Sequence, residues 1–158
     1  MPITQLIDYM MPAFNMFCEK YNYTMVSVDQ LANLPIYVVM GEELDRFYAA
    51  QDILAPYGTK VMDTITMDTV RDHCGSYTPV ADHTIMVFNP ECDTLVMCLI
   101  HEMCHYIQVS HSLTLETQRE ERELEVEDAE DMLFDYYDPE EMDVPRRAML
   151  AVAQSMIA

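Results

Sequence analysis

A chain of 158 residues with 51% hydrophobic side chains has the size of one domain and enough apolar material for a single core. Its 28 acidic and 8 basic residues give a formal charge of −20, a field that repels nucleic-acid phosphates and anionic lipid and favours a basic partner. No run reaches the ~18–20 apolar residues of a membrane span, and the N-terminal stretch shows neither a basic leader nor a small-residue cleavage site, so a soluble, cytoplasmic protein is expected.

Ile3 to Phe17 carries Leu6, Ile7, Met10, Met11, Phe14 and Phe17 at helical spacing and reads as a packed N-terminal helix. The run IYVVM from Ile36, bounded by Pro35 and Gly41, reads as a buried strand, and EELDRFYAAQDIL after it as a helix. From Cys74 a turn-rich segment leads into a short β-prone strand over Thr84–Phe88, stopped by Asn89-Pro90. The apolar stretch CDTLVMCLIHEMCHYIQV is long enough for a helix, with Asp93 or Asn89 available as its cap. In LETQREERELEVEDAEDMLFDYY, Val126, Ala129, Met132, Leu133 and Tyr136 recur at helical intervals, and PRRAMLAVAQSMIA reads as a last helix with Pro145 near its first turn. The five cysteines, Cys18, Cys74, Cys92, Cys98 and Cys104, are odd in number, and two of them fall inside a predicted helix. They are expected to be reduced thiols in a cytosolic compartment.

Within the apolar helix, LIHEMCH places His101 and His105 four residues apart, hence on one face, where both imidazoles can address one metal ion. Glu102 lies beside them, placed to take a proton from a water that attacks a polarised carbonyl and to return it to the leaving amine. Burying two imidazoles and a carboxylate in so apolar a helix is expensive without a compensating ion. The strand before the helix offers an edge on which an extended peptide can be held by strand addition.

The stretch LIHEMCH resembles the active-site helix of the HExxH zinc metallopeptidases, the zincins, and the layout from Gly75 through Thr84–Phe88 to His111 is similar to their edge strand followed by that helix. The resemblance implies a small α+β zincin-like domain spanning residues 1–158, with a short mixed sheet, an edge strand, an active-site helix and further C-terminal helices. It also implies a zinc ion on His101 and His105, Glu102 as general base, and hydrolysis of peptide bonds by an intracellular or phage-type peptidase. HEMCHYIQVSH has the spacing of the metzincin signature HExxHxxGxxH, which makes His111 the third ligand. Gln108 stands where that signature has glycine, a residue that permits a sharp left-handed turn. The gluzincin alternative takes a glutamate from the following helix. There Glu127 begins an ExxxD spacing, Glu123 falls in a RELEVE run similar to the RELEAD-like run of other families, and helical arithmetic places Glu125 within about 40° of Ala129 and about 20° of Met132 on the apolar stripe. His111 is the single residue assigned, with Glu123, Glu125 and Glu127 as alternatives.

Cys98, one turn before His101, reads as a buried thiol, and His73 and His83 as loop residues. Tyr106, Tyr136 and Tyr137 read as core, although a tyrosine hydroxyl can donate to an oxyanion. Met132 or Met142 can lie in a turn beneath the metal, as in metzincins. The acidic run from Thr114 to Asp143, opposed only by Arg119 and Arg122, reads as a solvated face. The competing function is non-enzymatic: an acidic binding or inhibitor protein that imitates nucleic acid, its metal site structural or vestigial.

Overall fold

The computed structural model describes residues 2–39, 41–72, 75–78, 84–87, 95–110 and 119–136. Helices dominate. Helix α1 (Pro2–Tyr21) leads into α2 (Val28–Ala32), strand β1 (Ile36–Val38), α3 (Glu43–Leu54), a 3-10 turn (Ala55–Tyr57), α4 (Thr59–Met62) and α5 (Met67–Asp72). Strands β2 (Gly75–Thr78) and β3 (Thr84–Val87) follow, and then the long helices α6 (Leu95–Ser110) and α7 (Arg119–Tyr136). The helix expected at Pro145 and the capping residues Asp93 and Asn89 lie outside the described residues. No helix among the described residues is long and apolar enough to cross a membrane.

The expected strand at Ile36 and the expected strand at Thr84 meet as parallel neighbours, Ile36 opposite Ile85 and Val38 opposite Val87. GSYT, read as part of a turn-rich segment, is instead a strand, antiparallel to β3 with Gly75 opposite Val87 and Thr78 opposite Thr84. Among the described residues the order β1-β3-β2 gives a mixed sheet of three strands, so the strand at Thr84, expected to be the edge before the active-site helix, is instead the central one, paired on both sides. Four residues beginning in glycine carry little strand propensity of their own, and pairing with β3 supplies what the local sequence lacks.

Ile7, Met10, Phe14 and Phe17 recur every three to four residues along α1, so their side chains line one face and are all essentially inaccessible to water. They pack in one cluster with Leu31 of α2, Ile36 of β1, Leu99, Ile100, Met103, Cys104 and Ile107 of α6, and Val126 and Ala129 of α7. Helix α6 lies against β2 and β3 on one side and against α1 and α7 on others, which explains its nearly all-round apolar sequence. A second, smaller cluster of Val39, Ala50, Leu54, Val61, Ile65 and Val70 sits among α3, α4 and α5. There the Gln51 side-chain amide donates to the carbonyls of Met62 (2.9 Å) and Ile65 (3.0 Å). Cys18 and Cys104 are buried thiols and Cys98 is half-buried, none of them in a disulfide.

Helix α1 ends in a way that matters for the centre described below. Asn22 takes a left-handed backbone (φ 58°), and the Tyr23 N–H reaches back to the Cys18 carbonyl at 2.9 Å, the bond that closes a Schellman-type helix end. Asparagine tolerates that conformation better than most residues. The turn brings Tyr23 onto α7.

Candidate metal centre

His101, His105 and Gln108 follow one another at positions i, i+4 and i+7 of α6 and so share a face. Glu123 and Glu130, seven residues apart, do the same on α7. Packing α6 on α7 brings the two sets together. His101 Nε2 stands 3.4 Å from Glu123 Oε2, His105 Nε2 stands 3.1 Å from Glu123 Oε1, and the two Nε2 atoms are 3.1 Å apart. Four-coordinate zinc with bonds of about 2.0–2.1 Å sets its ligand atoms about 3.3–3.4 Å from one another. The two histidines face different oxygens of the Glu123 carboxylate, and one atom from each of the three residues lies within 4.8 Å of the others, close enough to share one ion; His101, His105 and Glu123 are the only such group among the described residues.

The outward ring nitrogens fix what the inward ones present. His101 Nδ1 donates to Glu130 Oε1 at 2.6 Å, because a carboxylate facing it can only accept. His105 Nδ1 faces Gln108 Oε1 at 2.9 Å. The Gln108 amide is oriented by its own donors, which go to the Arg122 carbonyl (3.1 Å) and Glu125 Oε2 (2.9 Å), so its oxygen accepts from the ring. Both imidazoles therefore carry their proton on Nδ1 and turn lone pairs at Nε2 toward each other and toward the Glu123 carboxylate. With both rings neutral, three acceptors converge with no donor between them, and a metal ion, or in its absence a proton on a ring Nε2, satisfies them.

The electrostatics agree. Burial opposes protonation of His101, but hydrogen bonds to Glu123 and Glu130 and the field of Glu102 outweigh it and raise the ring to about 10, so without a metal ion the site holds a proton. Hydrogen bonds from His101 and His105 hold the Glu123 carboxyl far below the usual carboxylate range, against the opposing effect of burial. Glu102 is only 7% exposed. Burial pushes its carboxyl up to about 7, with His101 and His105 pulling it down and Glu123 and Glu130 pushing it up. Tyr77, on β2, lies near enough to Glu102 and Tyr106 that both add to burial in holding its hydroxyl well above the ordinary tyrosine range, and it stays a neutral hydrogen-bond donor.

Of the residues predicted from sequence, His101 and His105 share one face of α6 and are met by Glu123, one of the three alternative glutamates, while Glu102 is buried beside His101. Assigning His111 as third ligand requires α6 to end near Gln108; instead the helix runs through Ser110, and Gln108, fully buried, is held as a helical residue between His105 and α7 rather than in a turn. His111 itself lies outside the described residues. Glu125 turns to Gln108 and to Tyr23, whose hydroxyl donates to it, and Glu127 is exposed. Tyr106 is half-buried and Met132 packs at the edge of the core, while His73, His83, Tyr137 and Met142 lie outside the described residues, as does the Tyr136 side chain.

Glu130, Tyr23, Tyr77 and the role of Gln108 were missed from sequence. The i+7 spacing of Glu130 from Glu123, and of Gln108 from His101, is the signal that would have found two of them. Comparison with protein-family models, with curated proteins and with solved structures finds no match to this chain.

Proposed function

We propose that this chain is a zinc-dependent peptidase, its ion held by His101, His105 and Glu123. The observation that carries the reading is the convergence of three lone-pair donors, two imidazole Nε2 atoms and one carboxylate, at 3.1–3.4 Å, with both rings locked into the ligating tautomer by partners on their far side. Two nitrogens and one oxygen are the donor types zinc takes in catalytic sites, where three protein ligands leave a position open. Zinc in that place supplies Lewis acidity that polarises a carbonyl and makes water a nucleophile near neutral pH.

The remaining work falls to the chain. Glu102, adjacent to the first ligand and buried, takes the proton of the attacking water and delivers it to the leaving amine. Tyr77, neutral and within the field of Glu102 on a strand packed against α6, would donate to a developing oxyanion. Among the described residues β2 has a strand neighbour on one side only and packs on α6, so its other edge would take an extended peptide by strand addition. A short mixed sheet against the HExxH helix is the part of a zincin-like layout that this reading uses. The acidic run divides: Glu123, Glu125, Asp128 and Glu130 face the centre or α1, whereas Glu120, Glu121, Glu127 and Asp131 face solvent and favour a basic peptide or protein substrate. The division supports an enzyme over a nucleic-acid mimic, because Glu123 and Glu130 of the run are spent on the two histidines.

The test pairs metal content with activity. Protein purified without chelator should hold about one equivalent of zinc by elemental analysis, and His101→Ala should lose it. Glu102→Gln should keep the zinc while hydrolysis of a general protein substrate falls by about 10²-fold or more. Wild-type protein that takes up no zinc overturns the reading; zinc uptake with full activity in Glu102→Gln removes Glu102 from the mechanism.

A further inference from the structure

Three side chains from three segments meet behind His105, on the side away from the ligating nitrogens. Gln108 accepts from His105 Nδ1 and donates to Glu125. Glu125 accepts from the Tyr23 hydroxyl, which also hydrogen-bonds Gln108. Gln108 is fully buried, and Tyr23 is anchored by the left-handed turn at Asn22 and by its ring packing on Phe17, centroids 5.4 Å apart. An amide can present either its oxygen or its nitrogen, and a ring so faced takes whichever tautomer suits. What decides the matter here is that Gln108 must give both N–H bonds to acceptors on α7, one of them held by Tyr23.

We propose that Tyr23, Glu125 and Gln108 form a positioning relay that holds His105 in its ligating tautomer, so that the end of α1 sets the affinity of a metal site built by α6 and α7. The inference rests on the metal reading above. Metal affinity is thereby coupled to the docking of α1, since binding at one end of the relay and packing at the other stabilise the same arrangement. None of the three residues is a ligand, and each acts only through His105.

The experiment measures zinc affinity by competition with a chromophoric chelator, alongside thermal unfolding of the metal-free protein. Gln108→Leu leaves His105 Nδ1 without its acceptor and should weaken zinc binding by about 10–100-fold, the range for loss of a ligand's outer hydrogen bond. Tyr23→Phe removes one hydroxyl two steps from the metal and should weaken binding by about 3–10-fold in the wild-type background, but not further in Gln108→Leu, because the relay is already cut. Glu125→Gln, which retains an acceptor oxygen, should stay within about 3-fold of wild type. A merely structural role predicts the opposite split: a lower unfolding temperature for the metal-free variants with zinc affinity unchanged, and that result overturns the relay. Should Gln108→Leu fail to fold, Tyr23→Phe and Glu125→Gln decide the question, as neither removes packing volume. Wild-type protein that binds no zinc overturns the metal reading and the relay together; zinc binding equal in wild type and Tyr23→Phe overturns the relay alone.

Discussion

Replacing Glu123 with alanine separates the proposed third ligand from its neighbours. The carboxylate is 45% exposed and touches the two histidine nitrogens at 3.1 and 3.4 Å, so its loss removes one of three converging donors while costing little buried apolar surface. Zinc bound by four protein ligands gains about 10–16 kcal/mol, about 3 kcal/mol for each, and the loss of one should weaken binding by about 10²-fold or more. The metal-free protein loses only partly solvated contacts with His101 and His105, each a contribution of about 1 kcal/mol or less. Isothermal titration with zinc, followed by thermal unfolding in the presence of a chelator, reads both quantities in one preparation. Glu127→Ala, on the exposed side of the same helix, is the control and should bind as wild type does. Zinc affinity unchanged in Glu123→Ala and abolished in His111→Ala would refute the reasoning, because the third ligand would then come from beyond the end of α6.

In the metal-free protein, Glu102→Gln should be stabilising and increasingly so with pH. The folded-state value of about 7 lies above the ordinary 4.5, so the cost of the buried carboxylate is absent below about pH 4.5 and complete above about pH 7, where relief amounts to about 3 kcal/mol; equal stability change at pH 4 and pH 8 by denaturant unfolding would contradict this. Phe17→Ala empties a site with no exposure at the centre of the larger cluster and should cost about 3–5 kcal/mol, against which an unchanged urea midpoint would count. Zinc at about 1,000 times its dissociation constant should stabilise the fold by about 4 kcal/mol, and a chelator should reverse the rise in unfolding temperature. Cleavage of a basic peptide should slow as salt is raised from about 50 to 500 mM, since exposed charges are screened beyond about 10 Å at 0.1 M; a salt-independent rate would leave the outer acidic face as a solubility feature.

The elements that carried their own periodicity were legible. Helix α1 shows its buried face in the spacing of Ile7, Met10, Phe14 and Phe17, α6 announces itself by an apolar run long enough that no strand competes, and α7 by the helical recurrence of Val126, Ala129 and Met132 in an otherwise acidic run. Strand β2 was not legible, because GSYT owes its conformation to β3 and to the helix beneath it rather than to its own residues. The short helices α2, α4 and α5 fall below the length at which periodicity separates from chance. For α2 the cue was capping chemistry, Ser27 and Gln30 bonding each other's backbone N–H groups.

The two histidines of the proposed site needed only the local rule that residues four apart share a helix face, and the proposed base followed from its place beside His101. The third depended on how two helices pack, and the apolar stripe of α7 alone does not say which of its flanks meets the histidines. Setting Val126 at zero and advancing about 100° per residue, Ala129 and Arg122 lie at about −60° and −40° and are buried with it. Glu123 and Glu130 then fall on one flank, at about +60° and +40°, and Glu125 and Asp128 on the other, at about −100° and −160°. The first flank meets His101 and His105; the second meets α1, Glu125 through Tyr23 and Asp128 through Lys20 and Tyr21. Helical arithmetic thus identified Glu125 as inward-facing correctly but could not assign it to a neighbour, whereas the pair Glu123 and Glu130 carries a distinguishing mark. A metal site on two histidines needs both a ligand and an outer acceptor for the ring's far nitrogen, and two acids seven apart on one flank can supply both to His101 at once.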